Sequence, residues 1–190
     1  MAQNDSEIVL LFMPDYFLTA PVDTSRVLRC LDQMATPDAG CLRLVPIRQL
    51  RRQVPNVDGT ELVELGLDVP FSTSLAATFW SSEELTSVLD DHDSPWNFEG
   101  FGALRRREGV RYYTTSKPVL RYPNSGALVK GMWTRRTSRL MVKDGLGDSL
   151  SSRATQSRSR TIKFKIKATI FATAYLLFPR GAIAIGRRMS

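Results

Sequence analysis

The chain has 190 residues, of which 43% are hydrophobic and 24% are charged, and its net charge is +7. This length suits about one domain with a buried core, and the composition excludes a disordered, collagen-like or polytopic membrane protein. The charges are segregated, since residues 1–100 carry −10, residues 101–152 carry +8 and residues 153–190 carry +9. The isoelectric point near 9.8 therefore describes neither part of the chain and does not by itself indicate nucleic-acid binding.

The first predicted element is a strand over 8–13, because its residues are continuously apolar, as in a strand covered on both faces. A helix capped by Asp23 follows and ends before Pro37, and a second strand is predicted over 41–45. This order favours an α/β fold with a right-handed crossover between parallel strands. Because the first strand begins so early, we expect its sheet neighbours to come from later segments or to be missing.

The middle of the chain is predicted to contain loops, short strands and three further helices. Pro/Asn/Gly punctuation predicts a loop up to Val69, with one edge strand near Leu62. The later predicted elements are helices over 82–89 and 96–107, strands over 110–114, 119–122 and 127–130, and a small helix over 134–142.

Charge and composition divide the chain into a body over 1–144, a flexible Gly/Ser/Arg-rich linker over 145–159 and a basic amphipathic tail over 160–190. The longest uncharged stretch of the tail, 168–178, is shorter than the about 20 residues that span a bilayer. The tail is therefore predicted to lie as a helix on an anionic membrane surface, with docking on the body as an open alternative. Nucleic acid is the least favoured partner, because no RNA-binding pattern is present.

The cysteines and the N-terminal residues indicate the cellular compartment. Cys30 and Cys41 are the only cysteines and His92 is the only histidine, which excludes a Cys/His zinc site and favours two buried free thiols. Acids at Asp5 and Glu7 stand where a signal peptide would have a basic segment. We therefore predict a cytoplasmic protein, and the basic tail adds the alternative of a peripheral position at the inner face of the cell membrane.

Two carboxylates are candidates for chemistry. Asp15 follows the first predicted strand, where open α/β sheets bind ligands, and it suits a divalent metal or a ribose hydroxyl. Glu99 lies between Trp96 and Phe98, where partial desolvation would suit a general base. The structural alternatives are a turn at Asp15 and an exposed first-turn glutamate at Glu99.

Three other clusters of polar residues could bind a ligand, and each has a structural alternative. The run 105–107 consists of three arginines, and Arg105 is a candidate for binding a phosphate, although a solvated face is the more common outcome. The acidic segment 90–93 is more typical of a solvated loop than of a metal site. The hydroxyl residues 72–74 lack a suitable histidine, so a hydrolase triad has little support.

Five segments of the chain, taken together, resemble a family of bacterial glycosyltransferases that use sugar nucleotides and have the A-type, Rossmann-like fold. The resemblance covers roughly residues 7–142, and the combination is more specific than any one segment. The segments are LLFMPDYFLTAPVD at 10–23, CLRLVP at 41–46, SLAATFW at 74–80, SPWNFE at 94–99 and KGMW at 130–133.

The resemblance implies roles for several of these residues. Asp15 would hold the diphosphate of a nucleotide sugar through Mg²⁺ or Mn²⁺, with Tyr16 beside it, although Pro14 stands where the family has a first acid. Glu99 would take the proton of the acceptor hydroxyl. The remaining implied residues are Trp80 and Trp96, which would stack on the acceptor sugar unless they pack in the core.

The resemblance also implies that βαβ units binding the base and ribose precede the acidic motif. Only seven residues precede Ile8, so we expect the donor-binding half to be lost or supplied by a separate chain. The expected fold is thus a partial A-type glycosyltransferase-like α/β domain, with a mixed sheet, flanking helices and a C-terminal amphipathic helix. The expected function is sugar transfer from a nucleotide sugar to a cell-surface glycan or a lipid-linked acceptor, and inactivity of this truncated chain on its own stays an open alternative. The other alternative is a non-catalytic membrane-peripheral or interaction module.

Overall fold

The computed structural model describes residues 7–47, 61–66, 69, 71–123, 126–163 and 166, apart from the side chains of Trp96 and Phe101. These residues form two compact units. The first unit contains the described residues of 7–13 and 22–120, and the second contains those of 14–21 and 121–166. Most of the predicted tail lies outside the described residues.

A five-stranded sheet organises the first unit. Its strands are β1 (Ile8–Leu11), β2 (Ala39–Arg43), β3 (Leu62–Leu65), β4 (Thr78–Ser81) and β5 (Arg111–Thr115), in the order β1-β4-β2-β5-β3. β2 and β5 are parallel, whereas the other neighbouring pairs are antiparallel. The predicted α/β class, a mixed sheet with flanking helices, is therefore confirmed, and β3 is the predicted edge strand.

The position of β1 differs from the prediction. It ends at Leu11 rather than at residue 13, and it lies at an edge of the described sheet, with Val9 opposite Trp80 of β4. Leu10 is 44% exposed, so the expectation of a strand covered on both faces was wrong. Because β1 and β2 are both antiparallel to β4, they run parallel to each other with β4 between them.

Three helices flank this sheet: α1 (Thr24–Asp32), α2 (Ser82–Val88) and α3 (Pro95–Phe101). Each begins at a side chain that accepts a hydrogen bond from a first-turn amide, and these caps are Asp23, Ser81 and Ser94. The cap at Asp23 was predicted. A single helix was predicted over 96–107. The structure instead has α3, which ends at Phe101, followed by a 3₁₀ helix over Gly102–Arg105. The strand predicted over 119–122 is absent from the structure, and Val119 and Leu120 are buried there without strand pairing.

Aromatic side chains hold the core of the first unit together. Trp80 is wholly buried, with its ring centroid 5.9 Å from that of Phe98 and 5.6 Å from that of Tyr112. Centroid separations of this size are those of favourable aromatic pairs. Cys41 is buried in the same cluster, and it and Cys30 are free thiols, as predicted.

The second unit begins with a hairpin, β6 (Leu128–Val129) and β7 (Met132–Trp133), which the helix α4 (Arg135–Lys143) follows. Lys130 and Gly131 join the two strands, and both have positive φ, as a tight hairpin turn requires. Trp133, Ala127 and Met141 form the buried cluster of this unit. The helix was predicted within one residue at each end.

The segment after α4 has more structure than its composition indicates. A linker without order of its own was predicted over 145–159, but Gly147–Ser152 form a 3₁₀ helix. Further on, the Trp133 amide donates to the Ala154 carbonyl and the Gln156 amide donates to the Trp133 carbonyl, both at 2.9 Å. These bonds pair the segment with β7. Residues 158–163 are helical, and no helix in the described part of the chain is long and apolar enough to cross a membrane.

Candidate functional site

The loop over 71–77, which leads into β4, has unusual backbone geometry at both ends. Phe71 has a φ of +55° and Ala77 a φ of +33°, in the left-handed region that residues with a Cβ rarely adopt. The residues after Phe71 are buried although they carry hydroxyls, namely Ser72, Thr73 and Ser74. Strain of this kind persists where surrounding contacts fix it, and it concentrates at functional sites.

The contact that fixes this loop is the end of α3 around Glu99. The Ser74 hydroxyl and the Leu75 amide both donate to Glu99 Oε1, at 3.2 and 3.0 Å. The Thr73 hydroxyl donates to the Phe98 carbonyl at 2.8 Å. Glu99 is therefore held through one carboxylate oxygen and through the backbone of its own helix.

The other carboxylate oxygen of Glu99 accepts no hydrogen bond from the described residues. The side chain is half-buried, and this oxygen is not among the buried polar atoms without a partner in the described residues, so it keeps some exposed surface. A carboxylate that is oriented through one oxygen and open at the other has the arrangement of a general base, because the second oxygen is available for a proton. The structural alternative, an exposed first-turn glutamate, does not describe this geometry, because Glu99 is half-buried and lies beyond the first turn of α3.

The tryptophans predicted to meet an acceptor have different outcomes. Trp80 has no exposed surface, and its indole NH donates to the Ser74 carbonyl at 3.2 Å. The alternative interpretation, core packing, thus describes Trp80, and its ring supports the loop that holds Glu99. The side chain of Trp96 lies outside the described part of the structure.

The three arginines of 105–107 each bond to a different set of partners within the first unit. Arg105 donates to the Val88 carbonyl at 2.8 Å and pairs with Asp93, so the candidate phosphate ligand instead joins the end of α2 to the following loop. Arg106 donates to the Leu65 carbonyl at 3.0 Å. Arg107 pairs with two glutamates of α2, Glu83 and Glu84. Each guanidinium therefore has at least one partner within the first unit.

Asp15 and Tyr16 lie in the second unit, in a turn after β1. The Asp15 carbonyl accepts from the Ala127 amide at 2.6 Å, and the Tyr16 ring stacks on Tyr122 with centroids 4.4 Å apart. A Cβ built on Gly126 would collide with the Asp15 Oδ2 atom, so the glycine leaves the space that the carboxylate uses. The half-buried carboxylate accepts no hydrogen bond from the described residues.

This carboxylate fits one kind of metal site. No group of three or more His, Cys, Asp or Glu side chains in the described part of the chain could enclose an ion, and this holds for the acidic segment 90–93 as well. Mg²⁺ in nucleotide sites, however, is often held by one or two carboxylates together with substrate phosphates and water. Asp15 can supply the single carboxylate of such a site, with Pro14 supplying none.

Sequence reasoning missed the most buried acid, Glu84. Its carboxylate accepts from the Tyr112 hydroxyl at 2.7 Å and from Arg107 Nε at 2.8 Å, and its side chain has no exposed surface. Burial and this hydrogen bond raise the pKa of Tyr112 above its usual range. Because every oxygen of the pair is partnered, we assign this network to the stability of the first unit. Glu84 lies three residues after the Ser81 cap, a spacing that resembles a capping box. This pattern predicts the start of a helix and does not indicate that the glutamate is buried.

Comparison of the whole chain with models of protein families, with curated proteins and with solved structures found no match. The geometry of Glu99 and of Asp15 is therefore the basis for any functional proposal.

Proposed function

We propose that this chain is part of a glycosyltransferase that moves a sugar from a nucleotide sugar to a cell-surface glycan or its lipid-linked precursor. In this proposal the mixed sheet belongs to a partial A-type fold. The observation that carries the proposal is the Glu99 carboxylate, anchored through Oε1 to a strained loop and open at its other oxygen.

Glu99 would act as the general base. The oxygen of the acceptor hydroxyl forms a bond to the anomeric carbon while the bond from that carbon to the diphosphate breaks. The hydroxyl proton passes to the open oxygen of Glu99, and the nucleoside diphosphate leaves with the electron pair. The bonds from Ser74 and Leu75 keep the carboxylate in one orientation, which reduces the entropy lost on reaching the transition state.

Asp15 would bind the leaving group. A Mg²⁺ or Mn²⁺ ion held there by Asp15 and the diphosphate would neutralise charge that develops on the departing oxygen. The absence of a side chain at Gly126 leaves room for the carboxylate, and the Tyr16 and Tyr122 rings stack beside it.

Turnover of the donor tests the proposed role of Glu99. The full chain is incubated with a panel of nucleotide sugars, Mn²⁺ and cell-envelope lipid extract, and release of nucleoside diphosphate is measured. We expect release from at least one donor, reduced about 100-fold or more in Glu99→Gln, because a general base contributes that much to the rate.

Glu108→Gln is the matched control, since it makes the same chemical change at an exposed carboxylate of the first unit. It should leave release unchanged. Full activity in Glu99→Gln would contradict the proposed role of Glu99. Absence of release from every donor would contradict the proposal and favour the alternative of a non-catalytic module.

A further inference from the structure

The four basic residues of α4 lie on one side of the helix. At 100° per residue, Arg135, Arg136, Arg139 and Lys143 fall within a sector of about 100°. Buried residues face the other way, including Thr137 and Met141. The helix thus packs on its own unit with one face and presents a row of cations on the opposite face.

These cations are not neutralised by neighbouring acids. None of the four forms an ion pair with a described residue, whereas the described ion pairs all lie in the first unit. The described residues of the second unit contain ten basic and three acidic side chains, a net charge of +7. The acids are Asp15, in the turn after β1, and Asp144 and Asp148, which follow the end of α4.

Aliphatic side chains are exposed beside this charged row. Val142 lies about 20° beyond one edge of this sector and is 63% exposed, and Leu146, four residues further, is 50% exposed. The next helical stretch repeats the combination, with Ile162 exposed beside Arg160 and Lys163. Phosphate groups of a nucleic acid offer nothing to an aliphatic side chain, whereas the acyl boundary of a bilayer does.

We propose that the exposed face of α4, formed by Arg135, Arg136, Arg139, Val142 and Lys143 and here called the α4 surface, docks on a bilayer that contains anionic phospholipids. The guanidinium and ammonium groups meet the lipid phosphates, and Val142 enters the boundary of the acyl chains. This contact is independent of sugar transfer and is distinct from the one predicted for residues 160–190.

Vesicle co-sedimentation of the full chain tests the α4 surface. The parent chain should bind phosphatidylglycerol–phosphatidylcholine vesicles and not phosphatidylcholine vesicles alone. Each basic residue near an anionic surface contributes about a fivefold factor to partitioning, so the double variant Arg136→Gln/Arg139→Gln should bind about 25-fold more weakly. The charge-preserving variant Arg136→Lys/Arg139→Lys should bind within about twofold of the parent.

A matched double variant in the first unit controls for total charge. Arg29→Gln/Lys117→Gln also removes two exposed cations and should leave vesicle binding nearly unchanged. The proposal fails if the two Gln variants lose binding equally, or if the α4 variant binds as the parent does. Circular dichroism confirms that each variant is folded before its binding is compared.

Val142→Ser separates a lipid surface from a general polyanion site. We expect it to weaken vesicle binding severalfold while leaving retention on duplex DNA unchanged. If the Arg136→Gln/Arg139→Gln variant loses DNA binding but keeps vesicle binding, the partner is nucleic acid and the proposal is overturned.

Discussion

The two units use their basic residues in opposite ways. In the first unit, whose described residues carry a net charge of −5, arginines bond inward to carboxylates and to carbonyls, as Arg105 does to the Val88 carbonyl. In the second unit, at +7, the α4 cations have no carboxylate partner among the described residues. The same residue type therefore stabilises the fold in one unit and is available to partners in the other.

The largest expected effect breaks the inward network of the first unit. Glu84→Ala removes the acceptor of the Tyr112 hydroxyl and of Arg107 Nε, which leaves a buried hydroxyl without a partner. We expect the free energy of unfolding, measured in urea, to fall by about 3 kcal/mol. Glu83→Ala, on the exposed side of the same helix, should cost much less, and equal losses would show that the buried position of Glu84 does not matter.

A glycine pair tests the corresponding constraint in the second unit. Gly126 and Gly131 both have positive φ. A Cβ added at Gly126 would also collide with the Asp15 carboxylate, whereas a Cβ added at Gly131 would have no atom within 4 Å outside its chain neighbours. In thermal and urea unfolding we expect a loss of about 1 kcal/mol for Gly131→Ala and about 2 kcal/mol for Gly126→Ala. The difference should vanish when Asp15→Ala is added to both, and its persistence would place the strain elsewhere.

Alkaline pH should weaken the first unit, since both thiols lie there. Burial raises the pKa of Cys41, so the folded chain keeps a proton that the unfolded chain loses above about pH 8.5. Stability is therefore full below that pH and falls above it, by about 1.4 kcal/mol per pH unit for this thiol. In urea unfolding between about pH 8 and pH 10, the free energy of unfolding should fall less steeply with pH for Cys41→Ala than for the parent. An identical pH dependence would contradict the raised pKa of Cys41.

The smallest effect compares one arginine from each unit. Arg105→Gln should cost about 1 kcal/mol in urea unfolding, because it removes the bond to the Val88 carbonyl and the pair with Asp93. Arg136→Gln, at an exposed position of α4, should change stability by less than about 0.5 kcal/mol. A larger loss for Arg136→Gln would mean that the α4 cations are structural after all.

Elements specified by neighbouring residues could be predicted from the sequence. Asp23 caps α1 and Thr134 caps α4 through bonds that span only three residues, and both helix starts were predicted. The position of β1 could not be predicted, because its partner β4 lies about seventy residues further along the chain. The pairing of 154–156 with β7 could not be predicted either, because the Gly/Ser-rich composition of that segment indicates a flexible linker.

In the candidate site, too, features set by neighbouring residues could be predicted and contacts between residues far apart in sequence could not. Glu99 could be identified from its aromatic neighbours, but its partners Ser74 and Leu75 lie 25 and 24 positions earlier. Ser74 was considered only as a member of a hydrolase triad, and Leu75 was not a candidate. Arg105 was a candidate phosphate ligand because three consecutive arginines look alike in sequence. Their different partners depend on which elements pack around them, which the sequence does not state.

The proposed function assigns diphosphate binding to Asp15 of the second unit and proton transfer to Glu99 of the first, and this division of roles is the central claim. Calorimetric titration of the full chain with UDP, GDP and dTDP in the presence of Mn²⁺ tests it most directly. We expect saturable binding of at least one nucleotide, about tenfold or more weaker in Asp15→Asn and unchanged in Glu99→Gln. No saturable binding, or equal affinity in the parent and Asp15→Asn, would contradict the claim.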